Sequence, residues 1–486
     1  MEQTNYAFLK GLDLDNDVIL KVSSLLDRVV AGSSLVYTSP LCRNLDPEQI
    51  LSGWDRVFNS KITLISGELL TLENLNRDKF GPRSLAADWL SRKDSVYDYF
   101  KSDSLLTVPD FKDALPKCLR PISLHKALGF LKNNTNSGLP FYRKKGDVKD
   151  VLESEFTKLL ARRDDCVMFT RTQEAGKTRT VWGYPCADTL NEMMIYRPLL
   201  EYQRKLSWRS ALLGPEAVDD SITNIIKNSL INKEMLLSID FSSYDATVKT
   251  KLQRVAFNYI RSLYQESAYS HIDYIEDRFN TIGLITPDGI LRGGHGVPSG
   301  STFTNEVDSL VQYQCARSLG IIPSMFNIQG DDGAYRTKDP DLLKLRFKDF
   351  GLLVNDDKSY ISGNSLIYLQ NLHSTDYPDR DGIFRGIYPT YRALNRILFP
   401  ERFDTFSDDG IIGADYYSIK TISILENCRN HPLFTDLVKY IYSIDKYNLR
   451  YSQQGLFNYI QRIKKSSGVE GILRYRPEDN ISGLNS

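Results

Sequence analysis

Apolar and polar residues in the middle of the chain follow the spacings of short strands and amphipathic helices. Residues 236–241 form a mostly apolar run, which is typical of a buried strand. After a turn, apolar residues recur at helical spacing from Val248 to Leu263 and predict a helix with one buried face. A second such helix is predicted after the loop 298–300. This part of the chain therefore favours strand-turn-helix units packed around a core.

A β-hairpin is predicted next along the chain. Residues 325–329 form a strand candidate, the Gly-Asp-Asp-Gly segment 330–333 breaks it, and a return strand begins at residue 334. A helix then begins with Pro340 in its first position and ends at Gly351. The hairpin would carry two adjacent carboxylates, Asp331 and Asp332, at its tip.

The two flanks of this region differ from it in pattern. Residues 1 to about 235 mix short helical stretches with polar loops and contain two basic segments, 143–145 and 171–179. From about residue 380 the pattern is mainly helical. The residues from Lys464 to the end contain few apolar side chains and predict a tail or an extended loop.

Composition changes this picture in only a few respects. The chain has 486 residues, of which 41% are hydrophobic and 25% charged, and this balance excludes wholesale disorder. Lys and Arg number 61 and Asp and Glu number 61, so any nucleic-acid channel must come from local basic clusters. The six cysteines include no Cys-x-x-Cys pair, which argues against a zinc ribbon and favours reduced thiols. The sequence predicts neither a signal peptide nor a membrane-spanning segment.

The candidate chemistry centres on Asp240, at the end of one strand, and on Asp331 and Asp332 at the hairpin tip. Two divalent cations need several oxygen ligands that converge from neighbouring elements, and carboxylates at adjacent strand ends can converge in this way. Clustered carboxylates repel one another when no metal is bound, so a purely structural role is hard to justify. A Gly-Asp-Asp is expected by chance about 0.1 times in a chain of this length. The tripeptide alone is therefore moderate evidence, and the other motifs in the chain are needed to interpret it.

Those other motifs make the chain resemble the palm of viral RNA-dependent RNA polymerases, and they follow the order of that family. The matching segments are motif G (135–140), the basic motif F (177–181), motif A (240–245), motif B (299–304), motif C (330–332), motif D (357–359) and motif E (366–369). Segments 296–309 and 181–185 look most like picobirnaviruses and, next, partitiviruses, which have double-stranded RNA genomes. Asp308 stands where many positive-strand enzymes carry an Asn that helps to orient the motif A acid, and Asn305 lies nearby as a second candidate.

The resemblance implies a role for each matching residue. Two Mg²⁺ ions, for which Mn²⁺ is expected to substitute, would be held by Asp240, Asp331, Asp332 and the backbone carbonyl of Phe241. Lys358 would act as a general acid toward pyrophosphate; the alternative is an ordinary turn lysine. The implied NTP-binding residues are Lys177, Arg179, Asp245, Ser299, Thr304 and Asp308. The implied template-binding residues are Ser137, Gly138, Arg143, Lys144 and Gly300, and for the basic ones a solvated loop is the alternative.

The implied fold is α+β, a right-hand polymerase with fingers, a palm built on a small antiparallel sheet, and a helical thumb. The expected domains are fingers with an N-terminal extension (1–200), palm with motif A (201–267), a fingers insertion (268–292), palm with motifs B to E (293–378), and thumb with a C-terminal tail (379–486). The expected function is RNA synthesis on an RNA template, and the implied partners are single-stranded RNA template, nascent RNA, NTPs and a viral capsid protein. The expected location is the particle interior or the host cytoplasm.

Two alternatives remain at this stage. A reverse transcriptase would usually have another residue in place of Gly330 and would generally lack the Ser-Gly-x3-Thr segment. A non-catalytic RNA-binding capsid component is the other alternative, and the intact acids argue against it.

Overall fold

The computed structural model describes residues 6–42, 45–103, 107–110 and 115–467. The predicted tail begins at Lys464, but residues 464–467 belong to the last helix. The rest of the predicted tail lies outside the described residues.

Helices account for most of the elements. In chain order the first nine are α1 (Asn16–Ala31), α2 (Pro47–Ser60), α3 (Gly67–Arg77), α4 (Trp89–Tyr97), α5 (Leu124–Leu128), α6 (Lys149–Ser154), α7 (Phe156–Ala161), α8 (Cys186–Gln203) and α9 (Pro215–Asn232). The next nine are α10 (Tyr244–Thr247), α11 (Thr250–Leu263), α12 (Tyr269–Thr281), α13 (Thr304–Ser318), α14 (Pro340–Asp349), α15 (Thr390–Leu398), α16 (Gly413–Glu426), α17 (Phe434–Ile444) and α18 (Gln453–Ser467). No helix in the described part of the chain is both long and apolar enough to cross a membrane.

The strands are short and group mainly into two four-stranded sheets. In chain order they are β1 (Cys166–Thr172), β2 (Thr178–Gly183), β3 (Met235–Ile239), β4 (Leu284–Thr286), β5 (Gly289–Leu291), β6 (Phe326–Gln329), β7 (Asp332–Thr337), β8 (Tyr360–Ser362), β9 (Ser365–Tyr368) and β10 (Asn371–Ser374). One sheet has the order β2-β1-β4-β5 and the other the order β6-β7-β3-β8.

The chain divides into two compact units. The first contains residues 1–32, 88–171 and 180–369, and therefore all of the sheet β6-β7-β3-β8. The second contains residues 33–87, 172–179 and 370–486. The turn between β1 and β2 belongs to the second unit. The predicted division into fingers, palm and thumb ranges stays a prediction.

The antiparallel sheet β6-β7-β3-β8 is the centre of the first unit. β3 pairs with β7 on one side and β8 on the other, and β7 pairs with β6. Leu236, Leu237 and Ile239 of β3 are buried, as their strand propensity and apolar character favour. Because β3 lies between two partners, the residue that follows it is delivered to a fixed position at the sheet end.

Helices α11 and α13 pack against each other next to this sheet and enclose the largest core of the unit. Their buried faces repeat at helical spacing, as the sequence predicts. The core members from these two helices include Leu252, Ala256, Ile260, Val307, Leu310 and Val311. The core fixes α13, and α13 in turn contacts β6.

The hairpin and the helix after it follow the predicted order with adjusted bounds. Gln329 pairs with Asp332, so the loop between β6 and β7 has two residues rather than the predicted four. The helix α14 begins at Pro340, where the side chain of Asp339 caps it by accepting a hydrogen bond from the Leu342 N–H at 2.9 Å. It ends two residues before Gly351, whose φ of 81° is left-handed.

The second unit is helical, as predicted for its C-terminal part. Its buried Glu73 accepts hydrogen bonds from the Thr390 N–H at 2.7 Å and the Thr390 hydroxyl at 2.7 Å, which joins α3 to α15. Segment 33–87 also belongs to this unit, which sequence patterns alone did not indicate. All six cysteines are described and free, as expected for reduced thiols.

Candidate active site

The end of β3 and the start of β7 lie side by side. Ile239, the last residue of β3, is the register partner of Gly333. In an antiparallel pair the following residue of one strand lies opposite the preceding residue of the other, so Asp240 and Asp332 extend from the same end of the sheet. Asp331 is exposed at the tip of the β6–β7 hairpin. Three carboxylates from two sequence-distant segments therefore share one end of the sheet.

Helix α13 holds this hairpin from one side. The Gly330 N–H donates to the Ser309 hydroxyl at 2.7 Å, and the Gln312 side-chain amide donates to the Gly330 carbonyl at 3.1 Å. The Gln329 amide donates to Asn305 Oδ1 at 2.9 Å. Gly330 has a φ of 66°, and a Cβ there would lie 2.8 Å from the Asn305 amide nitrogen, so glycine suits this tip. The helix that begins at the last residue of motif B thus fixes the position of motif C.

The turn that carries motif D is bound to the backbone of Asp240. The Asp240 N–H donates to the Ser359 hydroxyl at 3.1 Å, and the Asp240 carbonyl accepts from the Asn355 N–H at 2.8 Å. Lys358 is exposed in this turn, and its N–H donates to Asn355 Oδ1 at 3.3 Å. Lys358, the predicted general acid, thus directly precedes Ser359, the residue whose hydroxyl holds the backbone of motif A.

The backbone after Asp240 stays attached to the segment before the motif D turn. Phe241 forms an isolated antiparallel bridge with Val354, and the Ser242 N–H donates to the Leu353 carbonyl at 2.7 Å. The bonds of this bridge use the carbonyl of Asp240 and not that of Phe241. The Phe241 carbonyl, predicted as a metal ligand, is therefore not used by the bridge.

Asp308 is buried in α13 close to the acidic sheet end, with 4% of its surface exposed. Burial raises the pKa of Asp308 well above its usual range, and the charges of Asp245 and Asp331 raise it further. Its Oδ1 has no hydrogen-bond partner among the described residues. Asp245 follows Tyr244 in α10, and its carbonyl accepts from the Val297 N–H at 2.7 Å. The predicted NTP-binding residues Asp245 and Asp308 are therefore electrostatic neighbours.

The motif B loop, residues 298–303, lies against the backbone of β2. The Ser299 hydroxyl accepts from the Trp182 N–H at 3.3 Å. A Cβ on Gly300 would lie 1.7 Å from the Trp182 carbonyl oxygen, so this close approach requires glycine. Thr304 donates through its hydroxyl to the Pro298 carbonyl at 2.8 Å and closes the loop. Gly300 thus has a packing role, and its predicted template contact stays a prediction.

The motif G residues fall into two groups. Arg143 and Lys144 are exposed and available to a phosphate backbone. Ser137 is fully buried, and its hydroxyl accepts from the Arg143 N–H at 3.1 Å. Gly138 is also buried and has a φ of 63°. The hydroxyl of the buried Ser137 closes its own loop, and the predicted template-binding role of Ser137 stays a prediction.

The motif F residues Lys177 and Arg179 are exposed and belong to the second unit. The same turn contains Glu174, whose carboxylate forms an ion pair with Arg83 at 3.2 Å. Burial raises the pKa of Glu174, but a backbone hydrogen bond and Arg83 among other arginines outweigh it and lower the pKa overall. The base of the basic turn is therefore anchored within its own unit.

Comparison with known proteins decides the family. Residues 93–377 match the family model described as "Viral RNA-dependent RNA polymerase". The chain belongs to this family. The class of enzyme expected from the motifs, an RNA-directed RNA polymerase, is thereby confirmed.

Two curated relatives agree with this assignment. The chain is 28% identical over 462 residues to a "Potential RNA-dependent RNA polymerase" of Human picobirnavirus (strain Human/Thailand/Hy005102/-), covering 87% of this chain and 84% of that protein. It is 24% identical over 313 residues to an "RNA-directed RNA polymerase" of Cryptosporidium parvum virus 1 (strain KSU-1), covering 57% of this chain and 56% of that protein. The expected similarity to picobirnavirus polymerases is confirmed.

Solved structures confirm the fold. The crystal structure of the RNA-dependent RNA polymerase of a human picobirnavirus superimposes with a TM-score of 0.79 at 24% identity, covering 95% of this chain and 96% of that one. An insertion-loop deletion mutant of that type of enzyme gives a TM-score of 0.78 at 25% identity over the same shares of the chains. The expected α+β right-hand fold is correct.

The donor set of the acidic sheet end fits the divalent cations that polymerases of this family generally use. Asp240, Asp331 and Asp332 offer only hard carboxylate oxygens, the ligands that Mg²⁺ prefers. Within the described ranges, no three His, Cys, Asp or Glu side chains are gathered tightly enough to hold a metal ion. The backbone register supplies the common location, and the metal-ligand role of these acids stays a prediction.

Sequence reasoning missed the residues that support this site. Asn305, Ser309 and Gln312 are spaced by four and three residues, so they form a polar stripe on one face of α13. A polar stripe at helical spacing indicates that this face of the helix contacts another polar element, so these residues could have been predicted from the sequence. Sequence reasoning also missed Glu192, which contacts the motif B loop although the two are more than 100 residues apart in the sequence. His295, next to motif B, is a packing residue: it is fully buried and its ring lies 4.6 Å from that of Trp182.

Proposed function

We propose that this protein copies RNA into RNA for a double-stranded RNA virus, joining NTPs for both genome replication and transcription. The observation that supports this most strongly is the pairing of Ile239 with Gly333, which delivers Asp240 and Asp332 to one end of the sheet. Asp331 lies at the adjacent hairpin tip. Membership in the polymerase family supports the same reaction.

In this proposal Asp240, Asp331, Asp332 and the Phe241 carbonyl hold two Mg²⁺ ions, and Mn²⁺ substitutes. When bound, such ions lower the pKa of the primer 3′-OH and stabilise the charge of the pyrophosphate that leaves. The contribution of the chain itself is to hold the acids in place. Asp240 is fixed by a hydrogen bond that its N–H donates to the motif D turn, and the hairpin is fixed by one that the Gly330 N–H donates to α13. Little reorganisation is therefore needed at the moment of reaction.

Basic residues bind the triphosphate and its product. Lys177 and Arg179 neutralise phosphate charge, and the planar guanidinium of Arg179 suits bidentate contact with phosphate oxygens. Lys358 protonates the leaving pyrophosphate as a general acid. Its exposure in the motif D turn supports this role, because an exposed ammonium group is accessible to a substrate.

Polar residues around motifs A and B select the sugar. Asp245 and Ser299 contact the ribose, whose 2′-OH distinguishes RNA from DNA. Thr304 and Asp308 complete the NTP-binding set. Asp245 and Asp308 are close enough for each charge to affect the other, which supports a shared role at one substrate group. Thr304 acts through the loop that it closes.

The template follows exposed basic residues of motif G and glycines of motifs G and B. Arg143 and Lys144 contact phosphates of the single-stranded template, and Gly138 and Gly300 allow close approach of the chain. We place the enzyme, with its template, nascent RNA and NTPs, in the particle interior or the host cytoplasm, where a viral capsid protein is its proposed protein partner.

The test is incorporation of labelled nucleotides on a defined single-stranded RNA, with and without a primer, in the presence and absence of Mg²⁺. We expect Mg²⁺-dependent extension with NTPs and little with dNTPs. Efficient extension with dNTPs would instead identify a reverse transcriptase. RNA binding without incorporation of either nucleotide type would identify a non-catalytic RNA-binding protein.

A further inference from the structure

Helix α8 carries a buried glutamate that binds the motif B loop. Glu192 is 2% exposed. Its Oε1 accepts a hydrogen bond from the Ser301 hydroxyl at 2.7 Å, and its Oε2 accepts one from the Thr302 N–H at 2.7 Å. Both oxygens of one carboxylate are therefore bound to two successive residues of this loop.

These bonds add to hydroxyl and backbone contacts that also hold the loop. The Ser301 hydroxyl also accepts from the Phe303 N–H at 3.0 Å. Gly300 abuts the backbone of Trp182, and Thr304 closes the loop at Pro298. Hydrogen bonds to an ionised acceptor are shorter and stronger than those between neutral groups. Glu192 thus supplies charge-assisted bonds to a loop whose other contacts are between neutral groups.

We propose that Glu192 is a positioning residue for RNA synthesis, because it fixes the motif B loop and thereby the placement of Ser299 and Gly300. This inference rests on the proposed function, in which these two residues contact the ribose and the template. Glu192 itself touches neither. A displacement of about 1 Å in a substrate-positioning element can cost about a hundredfold in rate.

The surroundings of Glu192 make this attachment sensitive to pH. Burial raises the pKa of Glu192 to about 7, hydrogen bonds from Ser301 and Thr302 oppose the rise, and the charge of Asp188 adds to it. Lys145, Cys166 and Tyr184 also face Glu192. Asp188 beside it faces Arg163, Asp164, Tyr274 and Arg278. The carboxylate therefore changes charge near neutral pH.

Stability and activity should respond to this titration in opposite directions. The pKa of Glu192 in the folded state lies above the usual value of about 4.3. The contribution of protonated Glu192 to the free energy of unfolding is therefore complete below about pH 4.3 and is lost as the pH rises through about 7. The charge-assisted bonds to the loop are present above about pH 7 and lost as the pH falls below it. A role in stability alone does not predict this opposition.

The experiment compares wild type with Glu192→Gln, Glu192→Ala and Ser301→Ala in single-turnover NTP incorporation from pH 6 to 8. Gln keeps the shape and can hydrogen-bond both partners but cannot titrate. The matched control is Glu73→Gln, because Glu73 is also buried and accepts from a backbone N–H and a hydroxyl, but in the second unit. Melting temperature and RNA binding are measured for every variant at each pH.

We expect Glu192→Ala to lower the maximal rate about 10- to 100-fold while RNA binding stays within about twofold. Glu192→Gln should keep the rate within about threefold at pH 8, and its rate relative to wild type should rise as the pH falls through 7. The melting temperature of Glu192→Gln should rise relative to that of wild type as the pH rises. Ser301→Ala should also lower the maximal rate. The double variant Glu192→Ala/Ser301→Ala should show a smaller fold-loss in rate than the product of the two single fold-losses, because the two residues share one hydrogen bond.

A rate ratio between Glu192→Gln and wild type that is constant from pH 6 to 8 would overturn the inference, even if Glu192→Ala fails to fold. A wild-type rate in folded Glu192→Ala would overturn it too, as would a Glu73→Gln control that changes the pH profile equally. Failure of the proposed function looks different, because wild type itself would then incorporate no NTP.

Discussion

The backbone N–H of Asp240 donates a hydrogen bond to the hydroxyl of Ser359 at 3.1 Å. This bond joins the first acid of motif A to the residue immediately after Lys358. A displacement of the motif D turn therefore acts on the backbone of a predicted metal ligand and on the predicted general acid together.

Replacing Lys358 with Leu should slow the chemical step more than it weakens NTP binding. A positioned general acid contributes about 10²- to 10⁴-fold, and Leu removes the proton donor while keeping comparable bulk. Single-turnover incorporation at increasing NTP concentration should show the loss in the maximal rate. Lys338→Leu is the matched control, since Lys338 is also an exposed lysine of the first unit. An unchanged maximal rate with only a higher half-saturating NTP concentration would reduce Lys358 to a charge contact.

Replacing Asp245 with Ala should relax discrimination between NTPs and dNTPs by at least about tenfold. A site built to hydrogen-bond a hydroxyl leaves a polar group unpaired when the analogue lacks that hydroxyl, and the variant no longer has that group. The ratio of incorporation efficiencies for matched NTP and dNTP pairs measures the effect. Asp245→Asn keeps a polar side chain and should fall between Ala and wild type. Equal ratios in Ala and wild type would show that Asp245 does not read the sugar.

Replacing Ser309 with Ala should destabilise the motif C hairpin. The Gly330 N–H would lose its acceptor, and a buried unsatisfied donor costs about 1–3 kcal/mol. Urea unfolding should show that loss, and the rate of incorporation should fall about tenfold or more. Ser318→Ala is the control on the same helix, because its hydroxyl bonds only a carbonyl one turn earlier. Identical effects of the two substitutions would mean that the Ser309 bond does not position the hairpin.

The location of the acids was predictable because local patterns defined it. A short apolar run before Asp240 and a hairpin at Asp331 place both at strand ends, and the structure confirms that placement. The length of the hairpin loop was not predicted correctly, since the four-residue break suggested by Gly and Asp is shortened by the pairing of Gln329 with Asp332. Turn propensity alone does not reveal a ladder pair.

The supporting contacts were harder to predict because they join distant parts of the sequence. A glutamate within a helix is usually exposed to solvent. No sequence pattern near Glu192 predicts that it is buried against Ser301. Ser137 is a second polar residue whose burial the neighbouring sequence does not indicate. Tertiary packing decides burial in both cases.

The central claim is that Asp240 and Asp331 hold the catalytic metal ions. The most direct test is single-turnover NTP incorporation by Asp240→Asn and Asp331→Asn, with RNA affinity measured on the same samples. Asp356→Asn is the matched control, since Asp356 is an acid of the motif D turn that pairs with Lys344 and Lys348. We predict that both active-site variants lose incorporation and keep RNA affinity within about twofold, whereas Asp356→Asn stays near wild type. Extension at near wild-type rate by either Asp240→Asn or Asp331→Asn would contradict the account.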